Sequence, residues 1–327
     1  MRRAAPFLLL LCGVASCGGA ANPQSAPLIL ERTIKLPDVA GRIDHLAIDL
    51  KGERLFVAEV GNGSVDAVDL AKGVVVRRIS GLKEAQGLAW LADRGELAVA
   101  SGGDGTVRFY RGADLVPAGV MAFGDDADNL RVDPRNGRLV VGYGSGALAV
   151  IDPATHTVMA TLKLPGHPEG FRLEGDRVLV NVPDARRIIA GNLATGMVMA
   201  NWRGTHRLNF PMAIDPATNS AAIVYRWPAR LVVLDVDSGA IGTDLPSCGD
   251  ADDVFFDAPR KRIMVSCGSG AIEVFGAGAG GYRSLGTTPT RAGARTALFV
   301  PERDRLYVAV RAGGGEGAEI RVYRPVS

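Results

Sequence analysis

One phrase recurs seven times along this chain: two or three apolar residues, a turn, then a second apolar run. It reads LAIDLKGERLFVA from Leu46, LAWLADRGELAVA from Leu88, LRVDPRNGRLVVG from Leu130 and FRLEGDRVLVNV from Phe171. It continues as MAIDPATNSAAIV from Met212, VFFDAPRKRIMVS from Val254 and ALFVPERDRLYVA from Ala297. The turns open at Asp49, Leu91, Asp133, Glu174, Asp215, Asp257 and Val300, at spacings of 42, 42, 41, 41, 42 and 43 residues. A period this regular means one supersecondary unit stacked on copies of itself.

The unit is made of strands. Most of the recurring hairpins are followed by a third alternating run, a turn and often a fourth run, as in SVDAVDLAKGVVVRRI (Ser64–Ile79), ALAVIDPATHTVMATL (Ala147–Leu162) and RLVVLDVDSGAIGTDL (Arg230–Leu245). Val, Ile and Leu alternate with polar residues, while Asp-Pro, Lys-Gly and Ser-Gly mark turns. The 42 glycines suit many tight turns, and no stretch sustains a 3.6-residue period with caps. Four short strands per repeat predict an all-β, seven-bladed β-propeller. The seventh unit stops after its third run, Glu319–Pro325, and LILERTIKLP (Leu28–Pro37) is free to supply the fourth. An N-terminal strand that completes the last blade would close the ring and remove open sheet edges.

Ahead of the repeats, Arg2 and Arg3 precede an apolar run, Ala4 to Ala15, too short to span a bilayer but suited to a secretory signal. It leads into VASCGG (Val14–Gly19), which resembles a bacterial lipobox. The expected division is a signal peptide over 1–16, a lipidated Cys17 with a linker over 17–27, and the propeller over 28–327. An ordinary signal peptide cut nearby is the alternative. Gly18 after the cysteine resembles lipoproteins sent to the outer membrane. Of 37 basic residues, Arg2 and Arg3 leave with the signal, so 35 face 35 acidic ones. A neutral mature chain lacks the footprint of a nucleic-acid binder. Besides Cys17, only Cys248 and Cys267 then remain, and an oxidising compartment favours a disulfide between them. A hairpin turning near Pro259 sets residue 252 opposite 267, so a loop must bend back to bring Cys248 within reach.

With the repeats aligned, LFVAEVGNGSVDAVDLAKGVVVRRI (Leu55–Ile79) and HTVMATLKL (His156–Leu164) resemble the repeats of YVTN-type propellers. GYGSGALAVID (Gly142–Asp152), GHPEGFRLE (Gly166–Glu174), NFPMAID (Asn209–Asp215) and GARTALFVPERDRLYVAV (Gly293–Val310) are similar to phrases of YncE-like bacterial proteins. The resemblance covers nearly all of Leu28–Ser327. It implies an exported seven-bladed propeller and no settled reaction, because the fold hosts many functions. GGDGTVRFYR (Gly102–Arg111) is similar to WD-repeat blades, but no blade carries their paired His and Trp-Asp signature. Lactonase propellers share the blade number and the LFVA strand style, and no complete lactonase catalytic set is present.

The first strand of each propeller blade lines the central channel, so residues leading into it converge. The positions four and five before each turn opener give Asp44-His45, Gln86-Gly87, Asp128-Asn129, Glu169-Gly170, Phe210-Pro211, Asp252-Asp253 and Arg295-Thr296. His167 and Asn209 lie close by in sequence. Asp128 and Asp252 are 124 residues apart, three repeat periods, which sets them nearly across the channel. Polar residues here could simply satisfy backbone groups and channel water. As a ring, however, five carboxylates, up to two histidines and an arginine would perturb one another's titration and call for a cation, a polar ligand or shared protons.

Three readings follow. A divalent cation would draw on Asp128, Glu169 and Asp252, the oxygen ligands favouring calcium or magnesium and His45 or His167 inviting zinc or manganese. A metal-assisted lactone or ester hydrolase would use an acidic general base, a histidine partner and Arg295 as anion holder. The GSG turns at Gly144–Gly146 and Gly268–Gly270 are not nucleophile elbows and suit hairpins. A binding module would offer the funnel residues Asp44, His45, Gln86, Asp128, Asn129, His167, Glu169, Asn209, Asp252, Asp253 and Arg295 to a small ligand, or its rim to an envelope protein. Arg226, Trp227 and Arg230, with Tyr143, would add stacking and anion contacts at the mouth, unless Trp227 packs between blades. A monomeric binding module anchored through Cys17 is the reading chosen, with the hydrolase as its alternative.

Overall fold

The computed structural model describes Met1 and residues 26–326, so the expected signal segment and Cys17 lie outside the described residues. Seven four-stranded antiparallel sheets form a β-propeller. Blades 1 to 6 begin with the inner strands Leu46–Asp49, Ala85–Leu91, Ala127–Val132, Phe171–Glu174, Arg207–Asp215 and Ala251–Asp257. Blade 7 combines Ala297–Val300, Arg305–Val310 and Ala318–Pro325 with the N-terminal strand Leu28–Leu36. The closing strand pairs antiparallel to the last one from Leu28↔Pro325 to Leu36↔Ala318, with a bulge between Leu30 and Arg32. The first and last described strands therefore sit in one sheet, as the incomplete seventh repeat requires.

The core is divided among the seven gaps between neighbouring blades. In the second strand of blade 1, Leu55 and Val57 pack toward blade 7, while Phe56 and Ala58 pack toward blade 2. All four are fully buried, which explains why the second strands read as unbroken apolar runs. Corresponding clusters fill the other gaps, and the one between blades 7 and 1 includes Ile34 and Leu36 of the closing strand.

A disulfide joins Cys248 and Cys267, with Cα atoms 5.9 Å apart. The hairpin count is off by one there: Ala251, not residue 252, faces Cys267, because a bulge falls between Ala251 and Asp253.

Blade 1 also buries an acidic pair. Asp66 is held by Arg78 at 2.7 and 2.6 Å, whereas Glu59, equally buried, takes a bond from the Ser64 hydroxyl and leaves Oε1 without a partner. Burial, reinforced by the neighbouring Asp66, pushes the Glu59 carboxyl up to about 8. A carboxyl raised in the folded state keeps its proton while the unfolded chain loses it. Folding stability should therefore decline as pH rises from the ordinary glutamate range through about 8. Urea denaturation should show that decline flattened in Glu59→Gln, and an unchanged slope would refute this assignment.

Candidate functional site

The funnel is built by a main-chain irregularity that repeats around the ring. In blade 3 the register shifts between Ala127 and Leu130, so Asp128 and Asn129 form a bulge. The same shift brackets Gln86-Gly87 in blade 2, Phe210-Pro211 in blade 5 and Asp252 in blade 6. In blade 1 the Asp44 amide donates to Ala58 O at 2.8 Å and the Ala58 amide to His45 O at 3.1 Å, so two residues face one. Glu169 and Gly170 face Asn181 in blade 4 in the same way, at 3.0 Å each. An ordinary strand would send consecutive side chains to opposite faces, and a bulge breaks that alternation. Gly87 fills the second bulge position where an added Cβ would collide with the Asp128 carbonyl oxygen, so that glycine serves blade packing.

The bulges enclose a cavity of about 440 Å³, within the range of small-molecule sites. Its lining includes Asp44, His45, Gln86, Asp128, Asn129, His167, Glu169, Asp252, Asp253 and Arg295. Asn209 does not line it. That side chain is fully buried, donating to Asn181 Oδ1 at 3.1 Å and Arg187 O at 2.9 Å, while Asn181 bonds the carbonyls of Phe210 and Pro211. Asn209 precedes its bulge and fastens blade 5 to blade 4. At the mouth, Arg226 lines the cavity and stacks 3.9 Å from the Phe210 ring centroid. Trp227 is 67% exposed and does not pack between blades, and Arg230 pairs with Asp244 at 2.7 Å. Tyr143 packs on Phe123, with ring centroids 4.8 Å apart. Both GSG segments are hairpin turns, with Gly144, Gly146 and Gly270 at positive φ.

The two sides of the funnel differ chemically. On one, Arg226 and Arg295 clamp Asp252: Arg226 through a short contact and Arg295 Nε at 3.1 Å, with Arg295 also holding Asp250 at 2.9 Å. On the other, Asp44, Asp128 and Glu169 crowd against His45 and His167. Arg42 pairs with Asp44 and reaches Gln86 at 3.3 Å. His45 Nε2 lies 3.7 Å from Asp128 Oδ1, and His167 Nε2 lies 3.9 Å from Asp128 Oδ2. Burial opposes charging either imidazole, but the carboxylates win and raise both to about 9, Asp128 being the main partner of each. Despite its burial, Asp128 is held below the usual carboxylate range by the two histidines. Burial and the Asp128 charge push Glu169 up to about 8, and burial raises Asp44.

The floor was not apparent from the ring positions. Two residues before each turn opener stand Ala47, Ala89, Arg131, Arg172, Ala213, Phe255 and Leu298. Most of this layer lines a second chamber of about 220 Å³ below the funnel, and His45, Arg131, Arg172 and Asp253 border both spaces. Arg131 donates to Leu130 O at 2.7 Å and Asn129 Oδ1 at 3.2 Å, and Arg172 to Phe171 O at 2.9 Å. Among the described residues neither guanidinium forms an ion pair. Burial lowers both below the usual arginine range, Arg172 also through its neighbour Arg131, yet arginine remains charged at neutral pH. Asp253, whose Oδ2 accepts from the Ala297 amide at 2.8 Å, is raised to about 7, chiefly by burial. The same repeat offset, taken one layer deeper, picks out both arginines from the sequence.

No family model matches the chain, and no curated protein matches it. Among solved structures it is similar to a chain in the crystal structure of the mitotic checkpoint complex. The identity is 16%, the TM-score 0.77, and the alignment covers 100% of this chain and 99% of the other. At that identity the likeness shows the seven-bladed fold and nothing finer.

Asp252 is the central counter-ion of two part-buried guanidiniums, with side-chain exposures of 17% for Arg226 and 25% for Arg295. Replacing it by asparagine should destabilise the fold by about 1.5 kcal/mol, the scale of a charge-assisted hydrogen bond, since Asp250 stays within 3.5 Å of Arg226 and 2.9 Å of Arg295. Chemical denaturation measures this, and a loss below about 0.5 kcal/mol would mean that water screens the clamp.

Proposed function

We propose that this propeller is a binding module whose funnel takes a small anionic molecule, a carboxylate or phosphate, on Arg131 and Arg172. The observation that carries the reading is the pair of adjacent guanidiniums at the floor with no carboxylate of the described residues in ion-pair contact. Two like charges removed from bulk water and left without a counter-ion are costly, and an anion taking charge-assisted bonds from both offsets that cost. The cavity volume suits a ligand of metabolite size, and at the junction with the lower chamber the two guanidiniums and His45 outnumber the single carboxyl of Asp253. Titrating the protein calorimetrically with di- and tricarboxylates and inorganic phosphate, in chloride-free buffer, tests the reading. At least one should bind the wild type, with affinity about 10- to 100-fold weaker in Arg172→Met. If none binds, or if both proteins bind alike, the reading fails.

The phrases similar to YncE-like propellers support an exported protein, and Arg2, Arg3, the apolar run and Cys17 support a lipid anchor at the cell envelope. The Cys248–Cys267 disulfide suits an oxidising compartment. In a bacterial host, Cys17→Ser should move the protein from the membrane fraction to the soluble one, and continued sedimentation with membranes would remove the anchor. A second reading, a metal-assisted lactone or ester hydrolase, draws on the acidic and histidine-bearing side of the same funnel. It stands or falls with a cation there.

A further inference from the structure

We infer that Asp128, His167 and Glu169 form a site for a divalent transition-metal ion, of the zinc, cobalt or manganese class. One ligand atom from each lies within 4.8 Å of the others. Atoms bound to one ion at ~2.1 Å stand roughly 3–4 Å apart, so small side-chain movements would close the group around an ion. The three come from two adjacent blades. Asp128 is presented by the blade 3 bulge, and His167 and Glu169 lie two residues apart before the inner strand of blade 4.

Two further observations point to a missing partner. Asp128 is only 7% exposed, and among the described residues its buried Oδ1 accepts no hydrogen bond, His45 Nε2 standing off at 3.7 Å, while Oδ2 receives only a long bond of 3.4 Å from Asn129. Buried carboxylate oxygens are rarely left this way. His167 is also oriented as a ligand. Its Nδ1 sits 2.7 Å from Gly144 O. A carbonyl oxygen only accepts, so Nδ1 carries a proton whatever the charge of the ring, and Nε2, which faces Asp128, is the nitrogen whose proton an incoming ion would displace. A backbone carbonyl fixing the outer nitrogen is a common way to aim a metal-binding histidine. The first GSG turn therefore supplies the group that holds His167.

The other carboxylates are less suitable. Asp252, a metal candidate from the sequence, is clamped by Arg226 and Arg295, and Asp44 is paired with Arg42. One nitrogen and two carboxylates favour zinc, cobalt or manganese over calcium or magnesium. Three protein ligands also leave coordination positions open toward the cavity. The site is separate from the guanidinium floor, so failure of anion binding with cation binding intact would remove only the anion reading.

Chelator-treated protein titrated with cobalt(II), followed by calorimetry and visible absorption, tests the site. The expected result is one ion per chain, with d–d bands whose intensity reports the coordination number. His167→Gln and Glu169→Gln should each weaken binding by roughly 100-fold or more, removing a ligand being at least as damaging as removing its outer support. His206→Gln should titrate like the wild type, since His206 pairs with Asp244 at 2.8 Å, away from the funnel. Should a variant misfold, the wild type labelled with ¹⁵N-histidine and loaded with zinc gives an independent readout, a shift of His167 Nε2 on binding. The inference is overturned if no stoichiometric binding occurs below millimolar cobalt, if the His167 and Glu169 variants titrate like the wild type, or if zinc leaves His167 Nε2 unmoved.

Discussion

Pairing of Leu28–Leu36 with Ala318–Pro325 is the constraint on which the ring depends. Without it, blade 7 would expose a strand edge. Ile34 and Leu36 would also be missing from the gap between blades 7 and 1. Each blade buries its two faces against its neighbours, so a ring of this kind is stable only when every gap is filled. Closing the last sheet with the first strand makes the first and last repeats mutually dependent and leaves no blade to fray separately.

Within that frame the bulges at the head of the inner strands decide what the funnel contains. A regular ladder would turn one residue of Asp44-His45 or Asp128-Asn129 away from the channel. Two residues facing one partner instead place a dense set of titratable groups around a single space. The side at Asp252 is neutralised internally by Arg226 and Arg295. The side at Asp128 relies on His45 and His167, and the floor carries Arg131 and Arg172 without ion pairs. These differences in pairing give the site its direction.

The seven blades, the closing strand and nearly all the funnel residues were legible in the sequence, because period and alternation are set by backbone geometry and by burial on both faces. Asn209 was misplaced: proximity in sequence to the ring positions did not reveal that it precedes the bulge and bonds to Asn181. The hairpin around Pro259 was displaced by one residue for a related reason, since a bulge adds a residue that simple counting omits. Arg131 and Arg172 stand one layer deeper than the strand entrances, at a position where the other five blades carry Ala, Phe or Leu, so the repeat reads there as core. Trp227 shows the limit of composition. A tryptophan beside a proline reads equally well as interblade packing or as a surface group, and only the hairpin position separates them.

Asp128 and Asp252 occupy equivalent places three blades apart, yet one faces two histidines with an oxygen that accepts no hydrogen bond among the described residues, and the other is held by two arginines. The bulge is formed by main-chain hydrogen bonds, so blades with different side chains at this place share it. Blades 1, 3 and 6 therefore contribute addresses that side-chain changes can rewrite, whereas Gly87 and Gly170 are fixed by the carbonyl of the next blade. An odd number of blades adds that no address has an exact opposite, so a bound molecule meets different chemistry on every side and has one preferred way to lie. A scaffold of near-identical parts can in this way acquire a polar and singular interior one substitution at a time.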